Sequence, residues 1–162
     1  MSDWKTASLV LIFLSSVAGT ARAEVSRPVP FPEGYRNWYV DHSTVALQGH
    51  TPGDEVGIQQ VYANILAVKG LETGEFDDGA TLVVDRFAYV EDSNKTLSQG
   101  ARKVIAVMQR DQQRFRDTGG WGFEAFKDGD PAHRLVTDGG KACFSCHAPH
   151  SGNSFLFTRL HR

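Results

Sequence analysis

The 162 residues are 41% hydrophobic and 22% charged, enough for one domain with a real core and too few for two comfortable ones. Seventeen Lys and Arg against nineteen Asp and Glu give a formal charge of −2, a near-balance that argues against a nucleic-acid binder. Ten Phe, four Tyr and three Trp exclude a disordered chain, and two cysteines exclude a multi-disulfide scaffold.

Residues 1–23 read as an export signal. Lys5 precedes a short apolar run over 7–14, followed by small residues and the A-x-A string Ala21-Arg22-Ala23. The run is too short to cross a hydrocarbon core, which needs about 20 apolar residues, and no later segment is apolar enough to span a membrane. The expected product is exported and periplasmic, with no membrane span in the mature chain. Residues 24–33, which include Pro28, Pro30 and Pro32, form an extended arm because proline fixes φ and cannot donate to a ladder. The domain proper runs over 34–162.

A short helical turn over 34–38 leads into a strand over 38–45, closed by a Gly- and Pro-containing loop at 48–53. A second strand is expected over 56–62, then a short helix over 63–69 that ends at Gly70, then a turn over 73–79. Residues 80–90 make the best strand of the sequence, β-branched or aromatic through much of its length. A fourth strand follows over 101–108 and a brief helix over 111–116. The fifth, over 121–126, puts Trp121, Phe123 and Ala125 on one face by the two-residue period. Glycine, proline and turn signals divide these runs too often for a bundle of long helices. The expected fold is α+β and mainly β: an antiparallel sheet of about five strands, a few short helices and a C-terminal segment carrying the chemistry.

Both cysteines lie in Cys143-Phe144-Ser145-Cys146-His147, the C-x-x-C-H signature of c-type haem attachment. Two thiols three positions apart can each add to one of two neighbouring haem vinyl groups. The adjacent imidazole then lies under the iron as proximal ligand. Export is consistent with this, since such haem is attached outside the cytoplasm in bacteria. Three other uses of these residues compete. A structural disulfide needs no histidine, and a thiol–disulfide exchanger normally places its pair at a helix start within a βαβ pattern. A zinc site built from Cys143, Cys146, His147 and His150 would have to make the adjacent Cys146 and His147 converge on one ion. Small helical cytochromes c carry the motif early and a methionine ligand later. Here no methionine follows His147, and Met108, in a strand, reads as core.

The C-terminal motif follows the Trp38 strand, the 73–79 turn (TGEFDDG) and the 118–126 segment (TGGWGFEAF), in an order and spacing that resemble the cytochrome P460 family, including its β-sheet cytochromes c′ (cytochrome c′-beta). The resemblance implies a mainly antiparallel β fold, a homodimer, and one covalently attached haem c per chain. Cys143 and Cys146 then become the thioether residues and His147 the axial iron ligand. Hydroxylamine-oxidising members carry a haem-cross-linked lysine on the strand after the F-x-D-G turn. That strand here contains no lysine; Val84 stands nearest the position, with Asp85 and Arg86 as the alternatives one or two residues on. The arginine some of them carry on the second strand is replaced by Gln59, and the acidic distal residue of some members is replaced here by Ile105 or Ala106. Val84 and Ala106 are therefore the expected distal pocket. An apolar distal face leaves the sixth iron position to small neutral diatomics such as NO or CO. The first reading is a gas-binding or electron-transferring haem protein, without enzymatic turnover. Its alternatives are a hydroxylamine-oxidising enzyme and, more distantly, a thiol–disulfide protein.

Other residues carry plainer expectations. His42, His50, His133, His150 and His161 read mostly as solvated surface groups. Arg36, Arg86 and Arg159 can pair with haem propionates through a guanidinium fork. Phe155 and Phe157 can help close the pocket, and Asp77-Asp78 is turn chemistry.

Overall fold

The computed structural model describes residues 28–49 and 56–158. The export signal expected over 1–23 lies outside the described residues, as do the start of the arm and most of the 48–53 loop. Five antiparallel strands form one sheet in chain order: β1 (Tyr39–Ala46), β2 (Gly57–Ala63), β3 (Thr81–Glu91), β4 (Leu97–Arg110) and β5 (Trp121–Lys127). Helix α1 (Ile65–Thr73) joins β2 to β3, and α2 (Lys141–His147) follows β5. Short 3-10 turns occupy Tyr35–Asn37, Arg116–Thr118 and Ala148–Asn153. This is the mainly-β α+β fold that the strand pattern predicts.

The sheet has a core on each face. One joins Val61, Ala63, Leu82, Met108, Trp121 and Phe123 to Ala67 of α1 and Leu156 of the C-terminal segment. The other joins Tyr62, Val83, Ile105, Val107 and Phe126 to Val29 and Tyr35 of the N-terminal segment. Alternation of side chains along each strand produces this division. The proline arm is extended and packs down: Val29 is buried, and Phe31 meets Phe126 edge-on at 5.0 Å.

Three expectations are corrected. Gly70 does not end α1. It lies inside the helix, where an added Cβ would come within 2.2 Å of the Phe76 ring. Asn64 caps the start by accepting the Ala67 N–H at 2.9 Å, and Gly74, at φ 83°, supplies the left-handed stop. Strand β4 begins at Leu97, earlier than expected, because it continues a hairpin with β3 through exposed polar residues that carry no apolar period. The helix expected over 111–116 is a turn, in which the Asp111 carboxylate accepts the N–H groups of Gln113 and Arg114 at 3.2 and 2.9 Å.

The second face is fastened by a carboxylate. Asp85 is fully buried and accepts from Tyr35 Oη at 2.5 Å, Arg102 Nε at 2.8 Å and Arg36 Nη2 at 3.0 Å. Both guanidinium groups also lie over the Phe87 ring, at 5.6 Å for Arg36 and 5.1 Å for Arg102. Burial, and then the bond to Asp85, push the Tyr35 hydroxyl above the usual phenol range. Arg36 is thus committed to this face. Asp85→Ala leaves Arg102 and Tyr35 without their acceptor and should cost about 3–5 kcal/mol in urea unfolding. Arg36→Ala, whose side chain is 53% exposed, should cost under about 1 kcal/mol. Equal losses for the two variants would contradict this division of roles.

Candidate functional site

Helix α2 is set down on β5 by glycine and aspartate. Gly140, at φ 87°, precedes the helix, and an added Cβ there would lie 3.0 Å from Phe123 Cβ, so backbone rests directly on the sheet. The Asp138 carboxylate accepts the N–H groups of Ala142 and Gly140, at 2.8 and 2.9 Å. Those bonds, that of Ala142 foremost, hold its carboxyl below the usual carboxylate range.

Cys143 and Cys146 stand one turn apart on this helix, a spacing that puts Cβ atoms roughly 5–6 Å from one another. Both sulfurs are unbonded. Cys143 is half-buried against the first core, and Cys146 is exposed. Burial pushes the Cys143 thiol up, opposite to the lowered value of an attacking cysteine.

His147 closes α2, its ring centre 4.9 Å from that of Phe123 and 4.5 Å from that of Phe157. Its Nδ1 lies 2.7 Å from the Phe155 carbonyl oxygen. A carbonyl only accepts, so Nδ1 carries the proton and Nε2 keeps the lone pair. Burial lowers the pKa of His147 below 6.5, favouring the neutral ring. A neutral imidazole with a fixed tautomer, one unbonded thiol a turn away at Cys143 and another on the neighbouring Cys146 make a donor set suited to covalently held haem.

The sheet face that bears the first core is apolar at its centre. Cross-strand register aligns Val61 with Val84, Val84 with Ala106, and Ala106 with Ala125, an apolar row across four strands. Val84 packs on the same core as Cys143. Ile105 is buried in the other core, so of the pair 105 and 106 only Ala106 belongs to this face. Beside the row, Gln59 pairs with Arg86, whose Nη2 donates to Gln59 Oε1 at 2.8 Å. At the other end His42 is the cross-strand partner of Val61. Its Nδ1 lies 2.6 Å from Asp41 Oδ2, and Thr158 Oγ1 donates to the same oxygen at 2.9 Å.

Other expected groups fall elsewhere. Arg36 serves Asp85 on the far face, which removes it as a propionate partner. His133 pairs with Asp130 at 3.0 Å on the surface, and His150 packs on Phe157 at 4.5 Å. His50, His161 and Arg159 lie outside the described residues. Met108 is buried core between Leu82 and Phe123. Asp77 pairs with Lys69 at 2.7 Å, and Asp78 accepts the Gln112 N–H at 2.9 Å, as turn residues do. Among the described residues no three His, Cys, Asp or Glu side chains converge on a common ion position. A cleft of about 430 Å³ between Phe76, Arg110, Trp121 and Phe155 has none of Cys143, Cys146 and His147 in its wall. The Phe155 carbonyl is the functional group that sequence reasoning misses, because a backbone acceptor leaves no residue signature.

Comparison with protein families finds a match to the family model described as Cytochrome P460 over residues 32–158. Comparison with individual curated proteins finds no match.

The His147 environment has a pH consequence. Since the folded chain disfavours the imidazolium, the unfolded chain binds more protons once pH falls below the ordinary 6.5. Stability of the haem-free chain should be level above that value and decline as pH drops from it toward the depressed one. His147→Gln should flatten the decline. An unchanged profile in urea titrations across this window would contradict the assignment.

Proposed function

The chain belongs to the cytochrome P460 family of c-type haem proteins, and on that footing we propose that it carries one haem c, bound covalently through Cys143 and Cys146 with His147 Nε2 as the iron ligand. It binds a small neutral gas such as NO or CO, or passes an electron, and does not oxidise hydroxylamine. The row Val61–Val84–Ala106–Ala125 is the observation that carries this reading.

Haem supplies an iron that can take a diatomic ligand or an electron. Val84 and Ala106 contribute no atom that can bond iron and none that can move a proton. They shape the space and exclude water. The enzymatic reading needs a lysine on β3, and Thr81–Glu91 has none. Lys69 stands on α1, tied to Asp77. Arg86, half-buried beside Val84, is the arginine suited by position to meet a propionate. The thiol–disulfide reading is disfavoured by topology, since α2 follows the last strand of an antiparallel sheet instead of lying within a βαβ unit.

Export through residues 1–23 to the periplasm fits the attachment chemistry. A homodimer fits the edge strand β1, which exposes Tyr39, Val40 and Val45 by 45%, 45% and 47%.

The ferrous absorption spectrum with and without NO tests the reading. A five-coordinate, high-spin ferrous form that changes on adding NO is expected. Val84→Lys, which brings an amine to the apolar row, should convert the spectrum toward a six-coordinate form and weaken NO binding. A low-spin, six-coordinate spectrum of the unaltered protein in both oxidation states would overturn the open-site reading.

A further inference from the structure

We infer that the left-handed turn at Ser154 and Phe155, clamped by Asn153, is a positioning device that fixes the proton and ring plane of His147 and thereby sets how strongly this imidazole donates to iron. The inference rests on the haem reading above and goes beyond it, because it concerns residues that bear no part of the attachment motif.

Ser154 and Phe155 have φ of 52° and 66°. Two successive non-glycine residues in this region are unusual, and a bulky phenylalanine there is strained unless its surroundings over-determine it. The surroundings here do so. Phe155 N–H donates to the His150 carbonyl at 2.9 Å, and Leu156 N–H donates to the Asn153 carbonyl at 2.9 Å. Asn153 Nδ2 donates to the carbonyls of Leu156 at 2.8 Å and Thr158 at 2.9 Å, bracing the chain on both sides of Phe157. Ser154 Oγ reaches the Gly74 carbonyl at 2.9 Å, and the Phe155 ring packs on Phe144 at 5.4 Å. Leu156 is buried in the first core.

The result of this bracing is one exposed-to-ring acceptor: the Phe155 carbonyl, 2.7 Å from His147 Nδ1. An extended conformation at Phe155 would rotate that carbonyl away. The same turn places Phe157 against the His147 ring at 4.5 Å, opposing rotation of the imidazole. A donated Nδ1–H gives the imidazole anionic character, which favours the more positive ferric iron over the ferrous. Asn153 acts through the turn: its side chain bonds the carbonyls of Leu156 and Thr158.

The test uses the haem-loaded protein and two readouts: the ferric/ferrous midpoint potential and the solvent exchange of the His147 Nδ1 proton by NMR. Asn153→Ala should raise the potential and speed the exchange at unchanged haem content, with Asn153→Ser, which retains one donor, falling between. Lys95→Ala, in the exposed β3–β4 turn where Lys95 pairs with Glu91, should leave both readouts at their original values. A loaded Asn153→Ala or Asn153→Ser protein with unaltered potential and exchange would overturn the inference, and so would an equal shift in Lys95→Ala. An unaltered chain that takes up no haem would instead overturn the functional reading on which the inference rests.

Discussion

A buried carboxylate in the middle of β3 governs where everything else in this protein can go. Asp85 is fully buried, so its charge is tolerable only where Arg102, Arg36 and Tyr35 can reach it together. Side chains alternate along a strand, and fixing Asp85 on one face sends Val84 and Arg86 to the other. A slip of one residue would turn Arg86 into the N-terminal core and Asp85 onto the face of the first core. The register of β3 on β2 and β4 therefore determines which side chains join Val84 on its face, and it is set from the opposite side of the sheet.

On the face that bears Val84, apolar character and donor chemistry come from different parts of the chain. Strands β2 to β5 contribute Val61, Val84, Ala106 and Ala125 in one register row. Helix α2 and the following turn contribute the two sulfurs and an imidazole of fixed tautomer. Phe123 joins the two parts, since it lies under Gly140 at the start of α2 and against His147 at its end. A strand residue thus bears on both ends of the helix, which ties the position of the motif to the sheet.

Much of this was legible in the residues alone. Cys143, Cys146 and His147 are a motif whose chemistry depends on spacing along one helix, and local spacing survives any fold. The shared face of Trp121, Phe123 and Ala125 follows from a two-residue period, and Val84 and Ala106 turn out to be direct cross-strand neighbours. What could not be read depends on contacts distant in sequence. Gly70 looks like a helix stop and is instead the seat of Phe76. Arg36 looks like a propionate partner until Asp85, 49 residues away, claims it. The Phe155 carbonyl has no sequence signature at all, and only the left-handed turn brings it to His147.

The central claim is that the two sulfurs of α2 hold a haem by covalent bonds, with His147 beneath the iron. The most direct measurement is the intact mass of the denatured protein after expression with a competent haem-attachment system. The account predicts a coloured polypeptide heavier than its amino acids by one haem. A colourless product at the mass of the polypeptide alone would contradict it.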